Sequence, residues 1–164
     1  MLTEKVEKAL VVQIEKEGYS SSLYLAMASW AESEGYSGIA QWLYAQSEEE
    51  RQHMLKFIDY VNDRGGKAII PAFDKPAEEY GDINTMFQKV LEHEQYVSKS
   101  INDIVAVTIE EKDYTTNNWI QWFVTEQIEE ESSVNAILDK LNMLGERSLY
   151  IFDRDIMNMR GSAE

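Results

Sequence analysis

The sequence predicts an all-α protein, a bundle of four long helices with one long crossover loop and a short fifth helix at its C-terminal side. Both prolines, Pro71 and Pro76, lie between Arg64 and Asp82, so the strongest helix breaker is missing elsewhere. Outside that stretch, apolar residues recur every three or four positions, which is the helical period. The 164 residues are enough for one domain, residues 1–164, with a single core.

Start and stop signals predict the first two helices. The first helix is expected to begin after Thr3, a favourable N-cap, and to fade near Glu34–Gly35. The second is expected to begin after Ser37 and to end at Gly65–Gly66. The short distance between them predicts a tight turn and an antiparallel hairpin.

The third and fourth helices are predicted in the same way. The third is expected to begin after the N-cap Asp82 and to run to about Lys112. The fourth follows at once from Asp113 and stops before Gly145. These two helices form a second hairpin.

A stretch of about 17 residues joins the two hairpins, which is unusually long for a loop without structure of its own. If it runs the full length of the bundle, the third helix begins at the same end as the second. The chain then continues into a short fifth helix, expected from about Glu146 to Met159. The apolar residues of this helix could pack on neighbouring subunits or on its own bundle: Leu149, Ile151, Phe152, Ile156 and Met157.

Composition excludes several classes of function. Acidic residues outnumber basic ones 30 to 15, and the net charge of -15 argues against nucleic acids and anionic membranes as partners. The absence of cysteine excludes disulfides, thiolate metal sites and iron–sulfur clusters. No apolar run is long enough to span a bilayer and the N-terminal residues lack a secretory pattern, so we expect a soluble cytoplasmic protein.

Polar residues occupy the centre of the apolar stripe in each long helix, where the period expects Leu or Val. The stripe of the fourth helix consists of Ile120, Phe123, Gln127, Glu130, Val134, Ile137 and Leu141. The other stripes place Glu17, Glu50, His53 and Glu94 at similar mid-helix positions, so these side chains can converge at one level. Because carboxylates are costly to bury, the arrangement predicts a compensating cation.

One carboxylate pattern occurs twice, with 33 residues between its parts in both copies: Glu17 with Glu50-x-x-His53, and Glu94 with Gln127-x-x-Glu130. Residues three apart share a helix face, so the Glu-x-x-His pair offers two ligands to one ion. Imidazole beside carboxylates suits iron, manganese or zinc better than calcium or magnesium. The best candidate is a pair of iron ions.

Two ligand sets that share Glu50 are expected: Glu17, Glu50 and His53 for one ion, and Glu50, Glu94 and Glu130 for the other. Gln127 is expected to be a weak neutral ligand or a hydrogen-bond partner. The second set contains no histidine, so we expect it to bind its ion less tightly or to exchange it more readily.

These six positions in matching order, the long loop and the short last helix make the whole chain resemble the bacterial non-haem ferritins, which belong to the ferritin-like di-iron bundles. The resemblance implies ferroxidase activity, in which a di-iron centre oxidises Fe(II) with dioxygen or peroxide. It also implies self-assembly into a hollow shell of twenty-four subunits that stores ferric oxyhydroxide mineral.

The resemblance extends to further residues. Glu49, Glu126 and Glu129, with Glu130 shared, match the third iron site of bacterial members, although a solvated acidic face explains them almost as well. Tyr24 matches a tyrosine near the metals that hydrogen-bonds a ligand or supplies an electron; simple packing with a satisfied hydroxyl is the alternative.

Two more residues lie beside these positions. Trp122 flanks the stripe of the fourth helix and could also donate electrons. His93 is adjacent to Glu94, so its side chain points about 100° away from that carboxylate. We therefore expect His93 on the surface.

Three alternatives compete with this interpretation. The nearest, bacterioferritin, carries a haem-ligating methionine on the second helix and a second Glu-x-x-His on the fourth. Here position 52 is Gln, position 130 is Glu and Met54 is the only nearby methionine, so no haem is expected. Rubrerythrin-like peroxidases usually add a cysteine-ligated iron, which this chain cannot supply. A non-catalytic helical module that keeps its carboxylates for solubility is the third alternative.

Overall fold

A computed structural model describes residues 1–145 and 148–160 and confirms the all-α bundle with a long crossover and a short fifth helix. Its helices are α1 Glu4–Ser33, α2 Ser37–Asp63, α3 Ile83–Glu110, α4 Tyr114–Leu144 and α5 Leu149–Asp155, followed by a 3-10 turn, Ile156–Met159. Helices α1 and α2 form one hairpin, and α3 and α4 form the other.

Side-chain caps start three of the long helices where the sequence predicts them. Thr3 Oγ1 accepts a hydrogen bond from Val6 N at 3.4 Å at the start of α1. Asp82 Oδ1 accepts from Thr85 N at 2.7 Å before α3. In front of α4, Asp113 Oδ1 accepts from the backbone N–H of the third helical residue at 3.0 Å. Each cap satisfies a backbone donor that the helix itself leaves free.

The start of α2 differs from the prediction by one residue. Ser37 is the first residue of the helix, and the N-cap is Tyr36, whose side chain makes no capping hydrogen bond. The turn is closed by backbone instead, because Tyr36 N donates to Ala31 O at 2.9 Å. Gly35 lies in this turn with φ 89°, a conformation that glycine adopts without strain.

The crossover runs along the whole of α1. Three contacts mark its path from the start of α1 to its end: Lys67 N to Glu7 Oε1 at 2.9 Å, the Phe73 ring against Gly18, and Trp30 Nε1 to Glu79 Oε2 at 3.2 Å. A Cβ at Gly18 would overlap the Phe73 ring, so the loop approaches the helix closely. Helix α3 therefore begins at the same end of the bundle as α2, as predicted.

Two apolar clusters fill the bundle, one towards each end. One cluster contains, for example, Met27, Leu43 and Phe87; the other contains Leu10 and Phe57. In every long helix the buried carboxylates fall between the residues of the two clusters. The bundle thus has a polar layer at mid-height.

Helix α5 packs against the start of α2 of its own bundle. Ile39 N donates to Asp153 Oδ1 at 2.8 Å, and Phe152 and Ile156 are buried in the core. A Cβ at Gly38 would overlap the backbone carbonyl oxygen of Asp153. The expected start of this helix, residue 146, lies outside the described residues.

The described part of the chain contains no helix with the length and apolar character that crossing a membrane requires. The expected cytoplasmic location stays a prediction. The same holds for the expectation that residues 1–164 form a single domain.

Candidate metal centre

All six predicted ligand positions are buried, with at most 6% of each residue exposed: Glu17, Glu50, His53, Glu94, Gln127 and Glu130. They come from the four long helices and form the polar layer at mid-height. Ionised carboxylates at such depth are unstable unless they are paired, hydrogen-bonded or bound to a cation.

Glu17 has one satisfied and one unsatisfied oxygen. Gln13 Nε2 donates to Glu17 Oε1 at 2.8 Å, and Ser100 Oγ donates to Gln13 Oε1 at 2.5 Å, which fixes the orientation of the amide. In the part of the chain that the structure describes, Glu17 Oε2 is buried without any hydrogen-bond partner. A buried acceptor of this kind is rare and fits a site for a cation.

The first predicted ligand set is brought together. One ligand atom each of Glu17, Glu50 and His53 lie within 4.8 Å of one another. His53 Nδ1 is 3.3 Å from Glu50 Oε2. Burial, with a smaller contribution from Lys56, lowers the pKa of His53 to about 4, so the imidazole is neutral at pH 7. Neutral imidazole is the form that binds a metal ion.

The ligand atoms of the second predicted set are less closely grouped than those of the first set. The Tyr24 hydroxyl donates to Glu94 Oε1, and Gln127 Nε2 donates to Glu94 Oε2 at 3.1 Å. Gln46 Nε2 donates to Glu130 Oε2 at 2.6 Å. Among the described residues, Glu94 joins no group of three ligand atoms within 4.8 Å. Gln127 is here a hydrogen-bond partner of a carboxylate, which was one of its two expected roles.

Burial dominates the electrostatics of the layer. It raises the pKa of Glu17 to about 7, and it raises the pKa of Glu50 and Glu130 well above the ordinary glutamate value. The negative charges of neighbouring carboxylates, Glu94 above all for Glu50, act in the same direction. A bound cation would reverse both effects and release protons.

A second acidic group extends from the layer towards the surface, between α2 and α4. Ligand atoms of Glu49, His53, Glu126 and Glu130 lie within 4.8 Å of one another, and His53 Nε2 is 3.9 Å from Glu126 Oε1. Glu129 is exposed and lines the same cavity but is not part of this close group. Since His53 turns Nδ1 towards Glu50 and Nε2 towards Glu126, it stands between the inner and the outer carboxylates.

Trp122 covers the outer side of His53. The two rings meet edge to face with centroids 5.5 Å apart, and 42% of the tryptophan is exposed. Lys56 Nζ lies 3.1 Å from the centroid of the Trp122 ring. The Trp122 indole thus lies between the His53 imidazole and the surface.

The expected surface position of His93 is wrong. The residue is half-buried, its Nε2 lies 2.7 Å from Ser20 Oγ, and its ring meets Tyr24 edge to face at 5.9 Å. Helix α1 packs over this side of α3, so the direction away from Glu94 leads into a helix contact and not to solvent. Burial lowers the pKa of His93 to about 4.

Sequence reasoning gave no role to three residues that contact the carboxylates. Gln13 and Gln46 each lie four residues before a predicted ligand in the same stripe, and this spacing is the signal that could have identified them. Arg160 donates from Nη2 to Glu49 Oε2 at 2.7 Å. No periodicity of the sequence indicates that contact, which depends on the path of the chain after α5.

Comparison with known proteins identifies one family. The family model of the ferritin-like domain matches residues 7–144. A probable bacterial non-heme ferritin-like protein of Haemophilus influenzae is 43% identical over 165 residues, covering 99% of this chain and 100% of that protein. The bacterial non-heme ferritin of Campylobacter jejuni is 38% identical over 161 residues, covering 97% and 96%.

Solved structures give the same result. The open pore ferritin of the hyperthermophilic archaeon Archaeoglobus fulgidus superimposes with a TM-score of 0.93 at 40% identity, covering 94% of this chain and 96% of that one. A closed form of the Archaeoglobus fulgidus ferritin, engineered by site-directed mutagenesis, gives a TM-score of 0.94 at 38% identity, covering 99% and 100%.

Proposed function

The chain belongs to the ferritin family, and we propose that it stores iron by oxidising Fe(II) with dioxygen or peroxide at the mid-bundle carboxylates. The ferric product is then kept as an oxyhydroxide mineral inside a hollow shell of twenty-four subunits. Iron is the substrate and cargo of this reaction, and the buried carboxylates are its binding groups.

The observation that carries the proposal is the unpartnered oxygen of Glu17. Glu17 lies beside Glu50 and His53. Its Oε2 is buried and has no hydrogen-bond donor among the described residues unless Glu50 is protonated. A module that kept its carboxylates for solubility would have no reason to place this oxygen between two apolar clusters. A metal ion would satisfy it and would stabilise the neighbouring carboxylates as well.

We assign the first ion to Glu17, Glu50 and His53, and the second to Glu50, Glu94 and Glu130. The second set requires carboxylates to give up hydrogen bonds, since Tyr24 and Gln127 hold Glu94 and Gln46 holds Glu130. This competition supports weaker or more exchangeable binding of the second ion. Two Fe(II) ions then each give one electron to dioxygen, which takes up two protons to become hydrogen peroxide.

Tyr24 has two tasks in this scheme. Its hydroxyl donates a hydrogen bond to Glu94 Oε1 and so holds that carboxylate in place. The phenol is fully buried beside the ligands, which also suits it to supply an electron to dioxygen while its proton passes to Glu94. The outer carboxylates Glu49, Glu126 and Glu129, with Glu130, would take a third iron ion.

We expect no haem. Met54 is half-buried, and its Sδ would lie 3.0 Å from a Cβ at Gly18, so it lies against α1 of its own bundle. This expectation stays a prediction.

The proposal is tested by rapid mixing of the metal-free protein with Fe(II) and dioxygen, followed by ferric absorbance. Glu50→Ala removes the shared ligand and should slow the initial oxidation at least about a hundredfold. Asp59→Ala, an exposed position on the same helix, should keep the original rate. Thermal unfolding of each variant with and without Zn(II) distinguishes a lost metal site from a failure to fold. A variant that has lost only the site still unfolds cooperatively, but Zn(II) raises its melting temperature less. Equal initial rates for Glu50→Ala and Asp59→Ala would remove the site assignment.

A further inference from the structure

A cavity of about 830 Å³ opens between α2, α4 and the segment that follows α5. Its wall carries the outer carboxylates Glu49, Glu126 and Glu129, and two basic residues, Lys56 and Arg160, also line it. Lys56 lies on the ring of Trp122, whereas Arg160 binds one of the outer carboxylates, Glu49. The arginine therefore occupies a place where the proposed third iron ion would also bind.

Three groups of α2 hold the guanidinium of Arg160. Nη2 donates to Glu49 Oε2 at 2.7 Å, and Nη1 donates to Gln46 Oε1 at 3.1 Å and to Trp42 O at 3.4 Å. The side chain of Arg160 is 22% exposed and that of Glu49 is 34% exposed, so the ion pair is partly shielded from water. A fixed planar fork of N–H donors suits this set of acceptors, which a lysine could not satisfy together.

The contact with Gln46 extends the influence of Arg160 to an inner ligand. Because Arg160 donates to the amide oxygen of Gln46, the amide nitrogen of Gln46 faces Glu130 and donates to Oε2 at 2.6 Å. If the amide turned over, its oxygen would face the carboxylate and its nitrogen would face the guanidinium. Arg160 thus fixes the hydrogen bond that holds Glu130.

The segment does not need Arg160 as an anchor. Phe152 and Ile156 are buried in the core, and Asp153 accepts a hydrogen bond from Ile39 N. These contacts already dock α5 and the following turn on the bundle. Arg160 adds a positive charge among the carboxylates and not a further apolar contact.

We propose that Arg160 competes with metal ions for the outer site and so sets the order in which the ions bind. Its guanidinium binds Glu49 Oε2 and, through Gln46, holds Glu130 Oε2, so an ion that uses these two oxygens competes with the arginine. The inner ligands Glu17, Glu50 and His53 make no such contact and fill first. This inference rests on the proposed function, because it concerns the order in which one site takes its ions.

Zn(II) binding measured by isothermal titration calorimetry tests the inference without iron oxidation. Arg160→Ala removes the competing cation, and Arg160→Lys keeps the charge but cannot serve Glu49 and Gln46 together. Arg154→Ala is the matched control, since Arg154 lies in α5 and, within the described residues, forms its ion pair with the partly exposed Asp155, at 2.8 Å. Far-ultraviolet circular dichroism and sedimentation show whether each variant is folded and assembled.

Arg160→Ala should tighten the weakest class of Zn(II) sites about five- to tenfold, as expected for the loss of a partly exposed ion pair. The tight class should not change, Arg160→Lys should lie between the two, and Arg154→Ala should match the original protein. Isotherms for Arg160→Ala and Arg160→Lys that equal that of Arg154→Ala would overturn the inference, and so would a weaker outer site in Arg160→Ala. No Zn(II) binding by any variant, the original protein included, would instead overturn the proposed function and the inference with it.

Discussion

At the scale of a single residue, Glu17 combines the features that favour a bound cation. One carboxylate oxygen is held by Gln13, and the other, buried, has no partner among the described residues. Burial is the main reason that the pKa of this group rises to about 7, and the hydrogen bond from Gln13 opposes it. The metal-free protein therefore keeps protons on its buried carboxylates that a bound ion would replace.

This arrangement predicts that the metal-free protein loses stability as the pH rises from 6.5 to 8. The pKa of Glu17 is 4.5 when unfolded and about 7 when folded, so its contribution is fully present below pH 4.5 and is lost as the pH rises through 7. The raised pKa values of Glu50 and Glu130 extend the loss to higher pH. Urea unfolding of the protein, freed of metal with a chelator, gives the free energy of unfolding at each of several pH values.

The two histidines do not change the free energy of unfolding in the opposite direction between pH 6.5 and 8. Burial lowers the pKa of His53 and of His93 from 6.5 to about 4, so their contribution is present above pH 6.5 and is lost only as the pH falls towards 4. Glu17→Gln should make the fall in the free energy of unfolding between pH 6.5 and 8 less steep. Glu92→Gln, a change at an exposed residue near the site, should leave this fall as it is in the original protein. A free energy of unfolding that stays constant or rises over this range would contradict the burial of ionisable carboxylates.

The sequence predicted which residues are buried at mid-height but not how their oxygens are paired. Helical periodicity is enough to place Glu17, Glu50, Glu94 and Glu130 in the core stripes. The partner of Glu130 is Gln46, 84 positions away in the chain, and no local pattern connects the two. For His93, the helical period predicted correctly that the side chain points away from Glu94. It did not predict that α1 packs over this side of α3 and buries the residue in part.

At the scale of the elements, side-chain caps decided how well each helix could be foreseen. Thr3, Asp82 and Asp113 accept hydrogen bonds from the first turns of their helices, so α1, α3 and α4 start where the sequence indicates. The start of α2 was misplaced by one residue because backbone groups close that turn. The path of the chain after α5 depends on packing, which short-range signals do not contain.

The contact between α5 and α2 predicts the effect of Gly38→Ala. A Cβ at this position would overlap the carbonyl oxygen of Asp153, and a backbone atom cannot move aside without moving α5. The variant should keep the four long helices but release α5, which exposes Phe152 and withdraws Arg160 from Glu49. Faster amide hydrogen exchange in residues 149–159, with unchanged exchange in α1–α4, would be the expected result.

Ser37→Ala provides the control, because this exposed residue lies in the same turn of α2 and already carries a Cβ. It should exchange as the original protein does. If Gly38→Ala behaved like this control, α5 would not rest on α2 in solution as the structure shows it. Because Arg160 follows α5, Gly38→Ala should also tighten the outer Zn(II) site in the direction expected for Arg160→Ala.

At the scale of the whole molecule, the bundle is organised as two apolar clusters separated by a polar layer. Burial of the two clusters stabilises the fold, whereas the carboxylates between them lower its stability unless they bind cations. The ferritin-like architecture and the placement of the layer were both predictable, because four similar helices carry their polar residues near mid-length. Assembly into a shell could not be derived from the periodicity of one chain, and it rests on membership of the family.

Sedimentation velocity after aerobic loading with Fe(II) tests iron storage itself, because protein and ferric absorbance are followed in the same boundary. The proposed function predicts that ferric absorbance moves with a fast, heavy protein species, and that Glu50→Ala delays its appearance there. Protein that sediments as a small species without ferric absorbance would contradict iron storage and would leave the ferritin-like fold as the only part of the account that stands.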